Sequence, residues 1–242
     1  MQTTVDSSSN KEFVSTKVFT FHSWTQSESR TLTVVIPEVA NAAYGMYTWP
    51  CAPVLAQYVW HNEHLLRGKT VLEIGSGTAL TGVVAAKCGA RVILSDSALY
   101  PDCLENCQKS CKANNLTGVD VIPLTWGIVS PPLLQLPPVH IILGSDCFYD
   151  TKDFEDVLVT VAFLMNRNVV CEFWCTYQKR SATRSIEFYL SKWSLQAKEI
   201  PVSSFCDEDF SLRMDCPGID SVHLFIITSK KTDRPQDVSA VT

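Results

Sequence analysis

The sequence predicts an α/β fold built around a doubly wound, mostly parallel sheet, and two patterns carry this prediction. Residues 70–96 read as a short apolar strand, a glycine turn, an amphipathic helix and a second apolar strand, which together form a βαβ unit. Strand-like and helix-like segments then alternate along the chain, as in proteins with parallel sheets. The length of 242 residues fits one such domain. Because ligands of these sheets bind at the carboxyl ends of the strands, the functional residues are expected there.

The segments around the βαβ unit are assigned from hydrophobic periodicity and turn residues. Residues 12–40 hold two strand-like runs and a polar turn, which predicts an amino-terminal β-hairpin that either flanks a substrate groove or only stabilises the domain. Residues 1–11 are expected to be a disordered tail and residues 231–242 a polar tail, outside a single domain of residues 12–230. The other predictions are helices over 50–62, 101–114, 181–193 and from 151 onward, strands over 119–124, 139–143, 169–177, 195–200 and 222–228, and loops over 130–138 and 201–220.

Composition and charge narrow the classes of function. Hydrophobic residues make up 46% of the chain and charged residues 19%, which is typical of a globular protein with its own core. The net charge of −5 and the lack of a basic run disfavour direct binding of nucleic acid, and they suit a basic peptide better. Because the sequence shows neither a signal-peptide pattern nor an apolar run of about 18 residues, no membrane segment is expected.

The cysteines and histidines do not predict a metal site. Ten cysteines are scattered without a CxxC pair, and the five histidines show no spacing typical of metal ligands. Cys103, Cys107 and Cys111 recur every four residues, but thiols strung along a helix over about 12 Å of rise cannot all reach one zinc ion. They are expected to line a buried helix face as small apolar side chains. The thiols are expected to be reduced, in the nucleus and cytoplasm.

The turn Gly75-Ser76-Gly77 predicts a nucleotide-like ligand. Glycines let a ligand approach the backbone, and Asp96 ends the next strand about 20 residues further on, where a carboxylate can accept both hydroxyls of a ribose. The dinucleotide pattern needs a third small residue where this chain has Leu80, and no Gly-Lys-Ser/Thr follows as in a P-loop. The alternative is a turn that uses glycine only for its positive φ.

Other candidate residues fall at the same predicted edge of the sheet. Trp126 follows the third main strand, where a flat apolar ring can face a purine. Asp146 ends the fourth main strand and Tyr149 lies three residues on. Trp49 directly precedes the first predicted helix, either as a ligand contact or as a core tryptophan. For Asp146 the alternative is a purely structural role as a turn or capping residue.

Several motifs occur together in one order and spacing: Trp49-Pro50-x-Ala, Glu73-x-Gly75-x-Gly77, Asp96, Trp126-Gly127 and Asp146-x-x-Tyr149. From about residue 40 to residue 228 the chain thereby resembles the seven-strand, class I S-adenosylmethionine-dependent protein methyltransferases of family 16. This resemblance implies a Rossmann-like sheet whose seventh strand inserts antiparallel beside the fifth. The Asp-x-x-Tyr motif is the more discriminating one, since E-x-G-x-G occurs in all class I enzymes. Ala79 departs from the pattern, because many members have glycine there.

The resemblance also implies a role for each motif residue, with S-adenosyl-L-methionine as the cofactor. Asp146 is expected to be the catalytic carboxylate and Tyr149 to form an aromatic or hydroxyl wall beside it. Glu73 is expected to orient the turn or the methionine ammonium group. The remaining cofactor contacts are expected from Trp49 at the methionine end, Gly75, Ser76 and Gly77 along the backbone, Asp96 at the ribose, Trp126 at the adenine, and Ser145 against the cofactor just before Asp146.

The segments LTWG, DFEDVL and CTYQKRSA resemble a branch of the family that is associated with arginine methylation of histone, whereas most relatives methylate lysines of other proteins. The sequence therefore predicts a histone-arginine methyltransferase that acts on a histone tail, as a monomer or in a larger complex. Nothing in the motifs separates a guanidinium from an ammonium group. The alternatives are a lysine methyltransferase, a small-molecule or RNA methyltransferase, a non-catalytic cofactor-binding module, and a dehydrogenase that binds NAD.

Overall fold

The computed structural model describes residues 14–24, 29–39, 44–178, 180, 185–215 and 218–230. The tails predicted over 1–11 and 231–242 lie outside the described residues, as do residues 181–184 of a predicted helix. Within the described part, no helix is long and apolar enough to cross a membrane.

The described residues form nine strands and seven α-helices, with 3-10 segments between them. The strands are β1 (Val14–Trp24), β2 (Ser29–Val39), β3 (Thr70–Ile74), β4 (Arg91–Asp96), β5 (Asp120–Pro123), β6 (Ile141–Ser145), β7 (Glu172–Gln178), β8 (Leu195–Ile200) and β9 (Val222–Ser229). The helices are α1 (Cys51–His61), α2 (Leu80–Lys87), α3 (Pro101–Ala113), α4 (Pro131–Gln135), α5 (Phe154–Arg167), α6 (Glu187–Lys192) and α7 (Phe210–Met214).

Seven strands form one mixed sheet in the order β5-β4-β3-β6-β7-β9-β8. The strands from β5 to β7 pair in parallel, and β9 runs antiparallel to both β7 and β8. The direction of the strand order reverses between β3 and β6, which is the switch point where such sheets bind ligands. The predicted fold class, including the antiparallel strand beside the fifth main strand, is confirmed.

Each face of the sheet is covered by its own apolar layer. One core cluster contains buried residues of α1, α2 and α3, and the other contains those of α4, α5 and α6. Strand alternation sends Val71 of β3 into the first cluster and Leu72 and Ile74 into the second. The cysteines of α3 are buried, as predicted for an apolar helix face.

The predicted hairpin forms from β1 and β2 and packs on the helices of the first layer. Phe19, Phe21, Val34 and Ile36 are at most 1% exposed and belong to the first core cluster. The side chain of Asn114, at the end of α3, accepts a hydrogen bond from the Val35 amide and donates one to the Val35 carbonyl. These contacts favour a stabilising role for most of the hairpin.

Three predicted segments were wrong in part. The proline-rich loop contains α4, because prolines in a first helical turn lose no hydrogen bond and because Arg167 donates to the carbonyls of Leu133 and Leu136 at 3.0 and 2.9 Å. The fifth main strand begins at Glu172, and Val169 and Val170 before it are 59% and 68% exposed. The loop predicted over 201–220 contains α7 and two 3-10 turns, since Phe205, Phe210 and Met214 are buried.

We expect Gly82→Ala to destabilise the fold, although alanine normally favours a helix by about 1 kcal/mol. A Cβ at Gly82 would collide with the Leu94 side chain and lie 2.6 Å from Glu73 Oε2, so overpacking should lower the unfolding free energy by about 1–3 kcal/mol. Urea unfolding measures the change. Gly68→Ala is the control, because its φ is +72° but its Cβ meets open space, and it should cost about 1 kcal/mol. A Gly82→Ala protein as stable as wild type would contradict this packing.

Candidate active site

The turn after β3 is the centre of the candidate site. Gly75 and Gly77 have φ of 60° and 50°, and Ala79 reaches φ 61° without being glycine. A Cβ on Gly77 would lie 3.0 Å from the Gly45 carbonyl oxygen, so the turn passes directly against another backbone segment. The two glycines thus provide both an unusual conformation and a close approach that side chains would prevent.

Asp96 lies at the tip of β4 and faces this turn. Its Oδ2 accepts a hydrogen bond from the Gly77 amide at 2.8 Å, and its Oδ1 accepts one from the Ser97 amide at 2.8 Å. Burial raises the pKa of Asp96, whereas these two amides act in the opposite direction. Each carboxylate oxygen keeps acceptor capacity for another donor, such as a ribose hydroxyl.

Hydrogen bonds between serines lock the turn to β4. The Ser76 amide donates to the Ser95 carbonyl at 2.9 Å, and the Ser95 amide donates to Ser76 Oγ at 3.1 Å. Ser95 Oγ donates to the Glu73 carbonyl at 2.7 Å. Because these groups are buried, their hydrogen bonds stabilise the shape of the turn.

Glu73 points to helix α2. Its side chain is 1% exposed, and Oε2 accepts a hydrogen bond from the Gly82 amide in the first turn of α2 at 3.1 Å. Burial raises the pKa of Glu73 to about 8, although hydrogen bonds from Gly82, Ser76 and Thr81 oppose the shift. Glu73 was predicted to orient either the turn or the methionine ammonium group. This geometry fits the first role, because the side chain bonds to the first turn of α2.

Trp126 lies beside the glycine turn, at the end of β5. A Cβ on Gly75 would be 2.7 Å from Trp126 Cζ2, so the indole ring rests on the turn backbone. The amide of Gly127 donates to Thr160 Oγ1 of α5 at 2.9 Å, which fixes the chain just after the ring. The structure thus places Trp126 beside the turn, and its contact with an adenine stays a prediction.

Trp49 stands at the entrance of α1 and is 39% exposed, so the alternative of a core tryptophan was wrong. Its ring makes an edge contact with Tyr47, with centroids 5.9 Å apart. The intervening Thr48 donates its amide to Glu38 Oε1 at 3.1 Å, and its hydroxyl pairs with that of Thr78 at 3.0 Å. The segment before α1 is therefore tied to the turn segment and presents an aromatic ring at its edge.

Asp146 follows Ser145 at the tip of β6 and is 8% exposed. Its φ of 57° is left-handed, and its amide donates to the Thr176 carbonyl of β7 at 2.9 Å. Cys51, the first residue of α1, lies against its carboxylate, and burial together with the charge of Asp146 raises the pKa of that thiol. The turn alternative therefore describes the backbone of Asp146, while its side chain faces α1 and β7.

Arg180 is a neighbour of Asp146 that the sequence did not reveal. Its Nη1 donates to Oδ1 of Asp146 at 2.8 Å and its Nη2 donates to Oδ2 at 2.5 Å. This pairing raises the pKa of Arg180. The available signal was its position two residues beyond a strand, at the same edge of the sheet as Asp146.

Tyr149 is 43% exposed in the turn after Asp146. Burial and the nearby Asp153 raise the pKa of Tyr149 to about 12, so its hydroxyl stays protonated at neutral pH. Two nearby side chains make structural contacts: Asp150 accepts a hydrogen bond from the Lys152 amide at 3.2 Å, and Tyr177 packs against Phe148 with centroids 6.3 Å apart.

A cavity of about 560 Å³ lies between α1 and the segment that joins β8 to β9. Val54 of α1 lines it, one helical turn beyond Cys51, and Val222 lines it beside the end of β7. Asp207 and Glu208 add two carboxylates to its wall. No group of three potential metal ligands occurs among the described residues.

Comparison with known proteins decides the family. The model of methyltransferase family 16, described as lysine methyltransferase, matches residues 27–193. The chain belongs to methyltransferase family 16. The histone-arginine methyltransferase METTL23 of Xenopus laevis is 53% identical over 220 residues, which cover 90% of this chain and 94% of that protein. The Homo sapiens protein of the same name is 50% identical over 187 residues, which cover 77% of this chain and 98% of that protein.

A solved structure of MtNAS in complex with S-adenosylmethionine shares the fold. Its TM-score is 0.51 at 13% identity, covering 73% of this chain and 62% of that one. The family assignment makes this chain an S-adenosylmethionine-dependent protein methyltransferase. Its residues fit that cofactor, because Asp96, the glycine turn and the Trp126 ring lie together at one edge of the sheet.

We expect Asp96→Ala to weaken S-adenosylhomocysteine binding at least tenfold, since hydrogen bonds to a charged group contribute about 1.5–3 kcal/mol each. Isothermal titration calorimetry measures the affinity. Asp120→Ala is the control, because this exposed aspartate begins β5 at the opposite end of the strand. Equal affinities of Asp96→Ala and wild type, or binding of NAD in place of the methyl donor, would reject the ribose role.

We expect Glu73→Gln to flatten the dependence of thermal stability on pH. The folded-state pKa of about 8 lies above the unfolded value near 4.5, so the folded state binds the proton more tightly. This contribution is fully present below about pH 4.5 and is lost as pH rises to about 8, by at most about 1.4 kcal/mol per pH unit. Thermal unfolding of both proteins between pH 5 and pH 9 checks the difference. Parallel curves would show that Glu73 does not cause the loss.

Proposed function

We propose that this enzyme methylates arginine in a histone tail. The observation that carries the site assignment is the nearly buried Asp146 carboxylate at the tip of β6, on the same edge of the sheet as Asp96 and the glycine turn. Support for the substrate comes from two relatives, at 50% and 53% identity, that are named histone-arginine methyltransferase. The net charge of −5 and the carboxylates of the cavity beside α1 suit a basic tail.

In this proposal the cofactor lies across the tips of β3, β4 and β5. Asp96 accepts the ribose hydroxyls, the backbone of Gly75, Ser76 and Gly77 lines the middle of the cofactor, and Trp126 faces the adenine. Trp49 and Ser145 lie at the methionine end. Glu73 acts one layer away by holding α2 and the turn together, which leaves the ammonium group to other residues.

Bound S-adenosylmethionine supplies a methyl group on a good leaving group. The residues of this chain must place a guanidinium nitrogen in line with that methyl, roughly 3 Å away, and exclude water. As the new nitrogen–carbon bond forms and the carbon–sulfur bond breaks, the nitrogen loses one proton. Asp146 is proposed to orient the guanidinium and to accept that proton, while the Tyr149 ring closes the site from the adjacent turn.

The substrate assignment is tested by incubating the enzyme with S-adenosylmethionine and recombinant histones, followed by mass spectrometry of the modified residues. We expect methylated arginine, and a peptide in which that arginine is replaced by lysine should remain unmodified. Methylation only at lysine, in histone or in another protein of a cell extract, would reject the arginine proposal and favour the activity in the family's description. A histone substrate further implies that the enzyme reaches the nucleus as well as the cytoplasm, which cell fractionation tests.

We expect Asp146→Asn to lose at least tenfold in single-turnover rate, about 1.4 kcal/mol of transition-state stabilisation, while it keeps cofactor affinity. Tyr149→Phe should lose less, because the ring remains. Asp150→Asn is the matched control: its carboxylate caps the next helical turn at 3.2 Å from the Lys152 amide, and asparagine can cap equally well. Unchanged turnover in Asp146→Asn would return Asp146 to a structural turn role, and a parallel loss of cofactor binding would make it a cofactor ligand.

A further inference from the structure

The pair formed by Arg180 and Asp146 is a complete guanidinium-binding arrangement within the chain. Both terminal nitrogens of Arg180 donate to Asp146, one to each carboxylate oxygen, at 2.8 and 2.5 Å. This end-on fork is the geometry in which a planar guanidinium matches a carboxylate, and an ammonium group cannot reproduce it. The Asp146 carboxylate, which is proposed to orient the substrate, therefore already has the orientation that binds a guanidinium.

The position of Asp146 is fixed independently of Arg180. Its backbone is left-handed at φ 57° and is held by the hydrogen bond to Thr176, whose own hydroxyl donates to the Cys51 carbonyl at 2.8 Å. Contacts with β7 and α1 thus fix the backbone from which the carboxylate projects. Arg180, in contrast, is 30% exposed at its side chain, and its hydrogen bonds within the described residues go to Asp146.

The net charge of the pair determines how strongly it attracts a cationic substrate. The carboxylate and the guanidinium together are neutral, so the pair offers no net attraction to another arginine. A second guanidinium beside an intact pair would meet a like charge in a poorly hydrated place. It can bond to Asp146 only after the side chain of Arg180 has moved away, and partial exposure of Arg180 makes that release into water less costly.

We propose that Arg180 occupies the site of the substrate guanidinium and must be displaced by the substrate, so that Asp146 selects arginine and Arg180 restrains activity. This inference rests on the proposed function, because it needs Asp146 to be the residue that receives the substrate. It makes Arg180 a residue that sets the affinity and selectivity for the substrate, without a part in methyl transfer. It also supports arginine over lysine from geometry, which the motifs cannot do.

The test compares Arg180→Ala, Arg180→Lys and wild type. The probes are N-acetyl-arginine methylamide and its lysine counterpart, titrated by calorimetry in the presence of S-adenosylhomocysteine. We expect Arg180→Ala to bind the arginine probe at least threefold more tightly than wild type, with a smaller gain for the lysine probe. Arg180→Lys should lie between the two, because lysine keeps the charge but loses the fork. Adding Asp146→Asn to Arg180→Ala should abolish the gain.

Kinetics on a histone-tail peptide distinguish an Arg180 that competes with the substrate from an Arg180 that positions Asp146. A restraining Arg180 predicts a KM at least threefold lower in Arg180→Ala with no fall in kcat. A lower kcat with unchanged KM, or weaker binding of the arginine probe, would overturn the proposal and make Arg180 a support that positions Asp146. Arg91→Ala is the control, since this exposed arginine begins β4 at the opposite edge of the sheet.

Two other outcomes of these experiments also decide between the alternatives. If Arg180→Ala unfolds, because Asp146 is left buried without a partner, the comparison of Arg180→Lys with wild type decides the matter in the same direction. If no variant methylates a histone arginine, the proposed function fails, and probe binding alone then judges whether Arg180 and a free arginine compete for Asp146.

Discussion

The hydrogen-bonded junction of β3, its glycine turn and β4 is the constraint on which the candidate site depends. Glu73 ties the end of β3 to the first turn of α2, and the paired serines tie the turn to β4. The turn then holds the two groups that are proposed to contact the cofactor, because Asp96 bonds to the Gly77 amide and the Trp126 ring rests on Gly75. A change in the angle between β3 and α2 would move Asp96 and Trp126 together, whereas a substitution on the protein surface would move neither residue.

A second constraint is the register of β6 and β7, which places the residues of the proposed substrate-binding half of the site. Ser145 pairs with Thr176, so the residues that follow each strand leave the sheet side by side. Asp146 and Arg180 come from these two exits. The antiparallel β9 pairs with β7 and brings the segment before it, with Asp207 and Glu208, to the same end of the sheet. The antiparallel last strand therefore places this segment and its cavity at the carboxyl end of β7.

The limits of sequence reading follow from the range of each interaction. The glycine turn and Asp96 could be predicted because the patterns that identify them consist of adjacent residues or have a fixed spacing. The direction of Glu73 was available too: it alternates with Leu72 and Ile74, so it must face the other layer of helices. The ion pair of Arg180 with Asp146 joins residues 34 positions apart and depends on strand register, which no local pattern encodes. Helix α4 was missed because its stability comes from Arg167, in another helix.

The two aspartates at the ligand edge are held by different kinds of partner, and this difference separates their roles. Asp96 is bonded to the amides of Gly77 and Ser97, which belong to the backbone and cannot leave without unfolding the turn. Asp146 is bonded to the end of a long side chain that is partly in water. A carboxylate held by amides is a permanent acceptor, suited to a cofactor that always binds in one way. A carboxylate held by a guanidinium can exchange that partner for another arginine, and the proposed displacement of Arg180 by the substrate depends on this difference.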